Sequence, residues 1–196
     1  MIIIEKEINI SRLYEEKGDL YYRLGEYNEA IKDYKEAIKF GDKLEIGEST
    51  GDFYCCGRPY DDIDSATEWR VIGEIPYIKI GDAYCKLGEY DEAIAYYEEV
   101  TSLYDDLLDP ESSYVGQFSS MDTLDIKDEY YVKKGDAHYQ LGEYEEAIYD
   151  YTKAIELNEY KYQYYDKREA ANYRLGRYEE AKKDHVKSIL VLSNIK

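Results

Sequence analysis

Three aspartates stand at equivalent positions of a repeated sequence pattern, and each has neighbours that could bind a ligand. The aspartates are Asp19, Asp82 and Asp136. The predicted helix faces that carry aspartates of this kind also carry tyrosines and lysines, namely Tyr22, Tyr139 and Tyr173 with Lys79, Lys133 and Lys167. Aspartate accepts hydrogen bonds and pairs with basic groups, while tyrosine offers a stacking face with a polar tip. This combination predicts recognition of a segment that carries lysine or arginine.

Residues that would carry catalysis are scarce. The two histidines, His138 and His185, stand where other copies of a repeated sequence pattern have an aromatic ring on a helix face that we predict to be packed. We therefore expect both to be core residues. No Ser/His/Asp or Cys/His arrangement can be proposed around them. The three cysteines, of which Cys55 and Cys56 are adjacent, lack the Cys-x-x-Cys spacing of a zinc site. We therefore expect no enzymatic activity, no cofactor and no metal ion.

An eight-residue motif, Leu-Gly-Glu-Tyr-x-Glu-Ala-Ile, organises the chain. It occurs at residues 24–31, 87–94, 141–148 and, with changes, 175–182. Successive copies are 63, 54 and 34 residues apart. Because the last spacing is the period of a helix-turn-helix repeat, the two longer spacings predict insertions after the first and second repeats.

The motif predicts the join between two paired helices. Its glycines stand where a first helix should stop, in the left-handed conformation that follows a helix C-terminus. The acidic pair after the tyrosine suits the positive end of a second helix. A further glycine lies inside three of the first helices, at Gly18, Gly81 and Gly135. Because a mid-helix glycine costs about 1 kcal/mol relative to alanine, it indicates close helix–helix contact.

This pattern resembles the tetratricopeptide repeat family. Its small residues match Gly18, Gly81 and Gly135, then Ala30, Ala93, Ala147 and Ala181, then Ala37 and Ala154. The resemblance implies an all-α fold, an α-solenoid of four tetratricopeptide-type helix-turn-helix repeats with two inter-repeat insertions, forming a single domain over residues 1–196. The repeats would span about 11–44, 74–107, 128–161 and 162–195, and the insertions about 45–73 and 108–127.

The fourth repeat departs from the pattern at several packed positions. Glu169 replaces the small residue, and His185 replaces the ring of the second helix. Polar drift is expected of a terminal repeat, which packs on one side only. We expect looser packing there, with Glu169 reaching solvent or a cationic partner.

The resemblance also places one face of each first helix in the concave groove of the solenoid. We predict a peptide-binding groove formed by Asp19, Tyr22, Arg23, Lys79, Asp82, Lys133, Asp136, Tyr139, Lys167, Tyr173 and Arg174. Family members that grip chaperone tails need asparagine where the first repeat has Asp19, which argues against that partner. The alternative interpretation is that aspartates and lysines of adjacent helices pair with each other across the groove.

Charge restricts the partner further. With 44 acidic and 25 basic residues the net charge is −19, a field that repels phosphate backbones, so we expect no nucleic acid. A basic protein or peptide partner is compatible with this field; the simpler interpretation is a solubilising surface. The charged start and the absence of an apolar run of about 18 residues predict a cytoplasmic protein that does not contact membranes.

The C-terminal residues 188–192 read Ser-Ile-Leu-Val-Leu and have no obvious covering helix. Solenoid ends usually carry a polar cap, so an apolar end indicates contact with another chain. The sequence therefore leaves two functions open. The first is an adaptor or scaffold that binds a peptide or protein segment in its groove, and the second is a structural protein that dimerises through its C-terminal helix.

Overall fold

The structure, a computed structural model, describes residues 2–42, 76–108 and 124–194. Every regular element in these ranges is an α-helix. The eight helices are α1 (Ile2–Leu24), α2 (Tyr27–Asp42), α3 (76–87), α4 (Tyr90–Leu108), α5 (Leu124–Leu141), α6 (Tyr144–Leu157), α7 (Tyr162–Arg174) and α8 (Tyr178–Asn194). The first insertion (45–73) with Cys55 and Cys56, and residues 109–123 of the second, lie outside the described residues.

The motif glycines end the first helices as predicted. Gly25, Gly88, Gly142 and Gly176 have φ values of 81°, 80°, 85° and 74°, in the left-handed region. At the first turn the Gly25 N–H donates to the carbonyl of Tyr22, and the Glu26 N–H donates to the carbonyl of Tyr21. This pair of bonds is a Schellman motif, which satisfies the last carbonyls of a helix and reverses the chain direction.

Close contact between paired helices is also confirmed. Gly18 of α1 faces the ring of Tyr34 on α2, and Gly135 of α5 faces the ring of Tyr151 on α6. Both rings are almost fully buried. A side chain at either glycine would occupy the space of the ring, so the glycine allows the two helices to approach.

Two first helices are longer at their N-terminal ends than the repeat boundaries predict. α1 begins at Ile2, and α5 begins at Leu124, four residues before the expected start at residue 128. Neither extension contains glycine or proline, so nothing in it ends the helix.

The chain divides into two compact units, Met1–Glu89 and Tyr90–Lys196. The first contains α1, α2 and α3. In the second, a core of Tyr131, Ala147, Tyr151, Tyr164 and Ala171 joins α5, α6 and α7. The single domain over 1–196 stays a prediction. None of the described helices combines the length and apolar character that crossing a bilayer requires.

Candidate interaction surface

The first aspartate of the predicted groove is held from two sides within its own unit. Lys79 on α3 places its Nζ 2.8 Å from Asp19 Oδ1 and 2.7 Å from Glu15 Oε1, both on α1. The hydroxyl of the buried Tyr34 donates to the same Asp19 oxygen at 2.8 Å. Asp19 therefore links both helices of its repeat to the next repeat.

The second unit contains the same arrangement at matched positions. The Tyr151 hydroxyl donates to Asp136 Oδ1 at 2.8 Å, and Lys167 Nζ donates to both carboxylate oxygens at 2.7 and 2.8 Å. Asp82 and Lys133 are also engaged in interactions. The pairing of aspartate with lysine, which the sequence left as the alternative, thus occurs at Asp19 and at Asp136.

These contacts shift the pKa of Tyr34, Tyr151 and Lys79. Burial and then the hydrogen bond to Asp19 raise the pKa of Tyr34 well above that of a free tyrosine. Burial and then the charge of Asp136 raise the pKa of Tyr151 in the same direction. Burial alone would lower the pKa of Lys79, but its bonds to Asp19 and Glu15 raise it overall. The lysine therefore stays charged and the tyrosines stay neutral.

Alkaline pH should unfold the protein through these tyrosines. A raised pKa in the folded state means that stability is complete below the unfolded tyrosine pKa of about 10 and is lost as the pH rises above it. We expect Tyr34 and Tyr151 to ionise together with loss of helix. Tyrosinate absorbance and circular dichroism, recorded in one titration, check this. Tyr151→Phe should shrink the absorbance change that accompanies loss of helix; ionisation of all tyrosines with helicity intact would contradict it.

Tyrosine pairs form a second feature of this surface. Tyr22–Tyr27, Tyr139–Tyr144 and Tyr173–Tyr178 meet edge to face, with ring centroids 5.3, 5.2 and 5.3 Å apart. The predicted groove includes the first member of each pair but not the second. Their constant spacing of five residues was the signal that could have found them.

A guanidinium covers one of these pairs. Arg174 lies 6.0 Å from the centroid of Tyr139 and 5.8 Å from that of Tyr144, and its Nε donates to the Tyr139 hydroxyl at 3.3 Å. The neighbouring Arg177 pairs with Glu145. Repeat four thus contributes two arginines to a cradle formed by Tyr139, Tyr144 and Glu145 of repeat three.

Ion pairs formed by buried aspartates within repeats are a third feature, and the sequence reading missed them. Lys17 pairs with Asp33 at 2.7 Å, Lys134 with Asp150 at 3.1 Å, and Arg168 with Asp184 at 2.6 Å. In the first helix, each cation immediately precedes the repeat position of Gly18 and Gly135. In the second helix, each aspartate immediately precedes the repeat position of Tyr34 and Tyr151. This recurrence was visible in the sequence.

The two histidines differ from each other. His138 is mostly buried, and its Nδ1 lies 2.8 Å from Asp150. His185 is exposed, so its predicted place in the core is wrong; its Nδ1 lies 3.1 Å from Glu169. Glu169 meets the expectation that it would find solvent or a cationic partner.

Within the described ranges no group of three or more His, Cys, Asp or Glu side chains could hold a metal ion.

Comparison with known families decides the classification. Residues 18–41 match a TPR repeat family, and residues 76–107 and 129–161 match two families described as tetratricopeptide repeat. These segments fall on the first three repeats. The chain is a tetratricopeptide repeat protein. No curated protein matches it in sequence.

Solved structures share the fold of this tetratricopeptide repeat protein. BtubC from P. vanneervenii is 15% identical with a TM-score of 0.66, covering 94% of this chain but only 64% of its own length. The C-terminal TPR-containing domain of a Plasmodium falciparum FK506-binding protein is 22% identical, with a TM-score of 0.57 and coverages of 92% and 95%. The Rap conjugation gene regulator of plasmid pLS20, in complex with the Phr* peptide, is 15% identical, with a TM-score of 0.58 and coverages of 96% and 43%. The predicted fold class, an all-α helical-repeat solenoid, is confirmed.

The predicted groove residues of the tetratricopeptide repeats fall into two groups, one in each unit. The first unit brings Asp19 to Lys79, and Arg23 donates to the backbone carbonyl of Asp19 at 3.2 Å. Tyr22 lies close enough to Asp82 for the carboxylate, after burial, to raise its pKa. The second unit joins Asp136 to Lys167 and Tyr139 to Arg174, while Tyr173 contacts Tyr178.

Proposed function

We propose that this tetratricopeptide repeat protein is a non-enzymatic interaction module that binds a protein or peptide segment on the first-helix face of its repeats. Family membership supports an interaction role. One solved structure with the same fold, the Rap regulator, holds a peptide. The two ion pairs on this face join adjacent repeats, and we infer that they build the surface and leave the aromatic positions to meet the partner.

The exposed tyrosine pair of repeat four carries this proposal. Tyr173 and Tyr178 have the edge-to-face geometry of Tyr139 and Tyr144, but their side chains are 63% and 61% exposed. No cation covers them in the part of the chain that the structure describes. Since Arg174 occupies the equivalent cradle of repeat three, the fitting ligand is an arginine side chain of the partner.

The surrounding charge favours the same ligand. Glu179 follows Tyr178 and is exposed, as Glu145 follows Tyr144 in the repeat where it pairs with Arg177. The net charge of −19 attracts a basic segment from a distance. We infer that the partner is a basic segment and that one of its arginines lies on Tyr173 and Tyr178.

Replacing Tyr173 by serine should weaken binding of such a segment. A cation on an aromatic face contributes about 0.5 to 2 kcal/mol, so we expect affinity to fall roughly twofold to thirtyfold. The measurement is titration calorimetry with arginine-containing peptides selected from a library against the wild-type chain. The matched control is Tyr160→Ser, because Tyr160 is at least as exposed but lies in the loop between α6 and α7. Unchanged affinity of every selected peptide for Tyr173→Ser, or failure of the library to yield a binder, would reject the proposal.

Self-assembly is the second candidate function, and the exposed side of α8 favours it. Val186, Ile189, Leu190 and Leu192 are each about half exposed. Apolar residues grouped in this way on a surface mark contacts with other chains. In this alternative α8 is the dimer interface that the C-terminal sequence predicts.

A further inference from the structure

The joint between α6 and α7 shows how this chain packs one repeat on the next. Ile155 and Leu157 of α6 lie against the core cluster to which Tyr164 and Ala171 of α7 belong. Tyr164 and Ala171 are buried there, at 5% and 0% exposed. The third and tenth positions of a repeat are therefore the ones that the preceding repeat covers.

The two ends of the described chain present the separated halves of this joint. Leu13 and Leu20 of α1 occupy the positions of Tyr164 and Ala171, and they are 66% and 51% exposed. Ile189 of α8 occupies the position of Ile155 and is 53% exposed. Each end thus carries exposed apolar side chains at places that an interior repeat buries fully or in part.

The face of α8 is also more apolar than the interior face that it matches. Repeat three has Thr152, Glu156 and Asn158 where repeat four has Val186, Leu190 and Leu192. An end that meets water would change in the opposite direction, because terminal repeats become polar for solubility. The exposed apolar side chains of this face suit contact with another helix.

We propose that α1 of one copy packs on α8 of a second copy, so that the repeats continue head to tail from chain to chain. In this register Arg23 takes the position of Arg174, which places its guanidinium on Tyr173 and Tyr178 of the neighbouring copy. The contact joins two different surfaces, so each added copy leaves one end open and the assembly grows beyond a dimer.

Charge works partly against this contact. In the proposed contact, Glu16 of one copy stands where an interior repeat has Lys167. It faces Ala170 of the other copy, which stands where repeat three has Asp136, so no like charges face each other there. Glu26 takes the position of Arg177, however, and meets Glu179, the counterpart of Glu145. With a net charge of −19 on every copy, association should strengthen as added salt screens the repulsion.

A mixing experiment tests the head-to-tail geometry. Leu20→Asp disables the α1 end and Ile189→Asp the α8 end, and both side chains are exposed enough to change without loss of the fold, which circular dichroism verifies. In sedimentation velocity we expect wild type to form a concentration-dependent series, each variant to be monomeric, and their mixture to form a one-to-one dimer. A Leu20→Asp chain that still dimerises alone shows an α8–α8 contact, and a wild type that stays monomeric at every concentration removes the proposal.

Glu26→Arg supplies a gain of function that only this register predicts. It converts the facing glutamates into a pair like Arg177–Glu145, and we expect association to strengthen roughly threefold to tenfold. Glu89→Arg makes the same charge change at the same turn position of repeat two and serves as the control. Equal effects of the two variants would refute the register. Peptide binding to Tyr173 and Tyr178 is measured on the Leu20→Asp monomer, where no second copy covers them, so the interaction module and the assembly can fail separately.

Discussion

Alanine in place of Gly135 should destabilise the protein by about 2 kcal/mol, although alanine is the better helix former by about 1 kcal/mol. An added Cβ would lie 2.7 Å from Cε1 and 2.9 Å from Cδ1 of Tyr151, and 3.2 Å from Cβ of Asp150. Non-bonded carbon atoms do not approach within 3.0 Å of each other, as the added Cβ would approach the Tyr151 ring, so α5 and α6 must separate or the ring must move. The ring is buried and its hydroxyl is bound to Asp136, so either movement costs packing or a hydrogen bond.

Denaturant unfolding of Gly135→Ala measures this change, and the fourth repeat suggests the control. There Glu169 occupies the glycine position and His185 the ring position. A side chain is therefore accommodated where the ring is smaller. In a Tyr151→His background the cost of Gly135→Ala should fall well below its cost in wild type, so the two substitutions together should cost less than the sum of their separate costs.

Gly142→Ala separates crowding from backbone strain. Gly142 has a φ of 85° but nothing within 4 Å of an added Cβ. Its substitution should cost about 1 to 2 kcal/mol through the left-handed conformation alone, and a smaller residue at position 151 should not relieve it. Equal costs of Gly135→Ala with tyrosine and with histidine at position 151 would show that crowding is not the cause.

Gly135 and Gly142 also show what the sequence could predict. Both are glycines for steric or conformational reasons that act within one pair of helices, so their roles follow from spacing alone. The same holds for Ala147 and Ala154, which are buried at the same contact as predicted. Repetition makes such roles visible in the sequence because each repeat packs its two helices through the same positions.

The candidate surface was harder to predict, because an equivalent position in each repeat does not reveal which groups bind the side chain there. Asp136 was expected on the groove face and lies close to Lys167, but its bond to Tyr151 comes from the buried side of the repeat. The sequence suggested one ligand for this carboxylate, and the structure shows that the protein already supplies two. Arg174 was predicted as a groove residue, and its place over the rings of Tyr139 and Tyr144 depends on how one repeat packs on the next, which spacing within a repeat does not show.

Replacing Arg168 by methionine should cost about 3 kcal/mol, the typical cost of leaving a buried charge without its partner. Nε and Nη2 of Arg168 bind the two oxygens of Asp184 at 3.0 and 2.6 Å, and Nη1 donates to Thr152 at 2.9 Å. One side chain therefore connects α6, α7 and α8. Without it, the Asp184 carboxylate, 7% exposed, keeps the amide of Asn172 at 3.2 Å as its hydrogen-bond donor among the described side chains.

Denaturant unfolding again measures the loss, with Lys32→Met as the exposed control. Lys32 and Glu29 are one turn apart and 3.6 Å from each other, with most of the lysine side chain in water. Such a pair contributes about 0.3 to 0.5 kcal/mol, so the control should barely move the unfolding midpoint. A loss from Arg168→Met that is as small as the control's would show that Asp184 is solvated or repaired by other groups.

The second repeat suggests how to repair the Arg168 variant. It has Ile80 and Tyr96 at the positions of Arg168 and Asp184, and Ile80 is fully buried. Because a buried ion pair can often be replaced by apolar residues of similar volume without loss, Arg168→Ile with Asp184→Tyr should recover most of the stability that Arg168→Met removes. The recovery would arise because no uncompensated charge remains. If the double variant is no more stable than Arg168→Met, the bond from Arg168 to Thr152 on α6, and not the charge of Asp184, holds the last two repeats together.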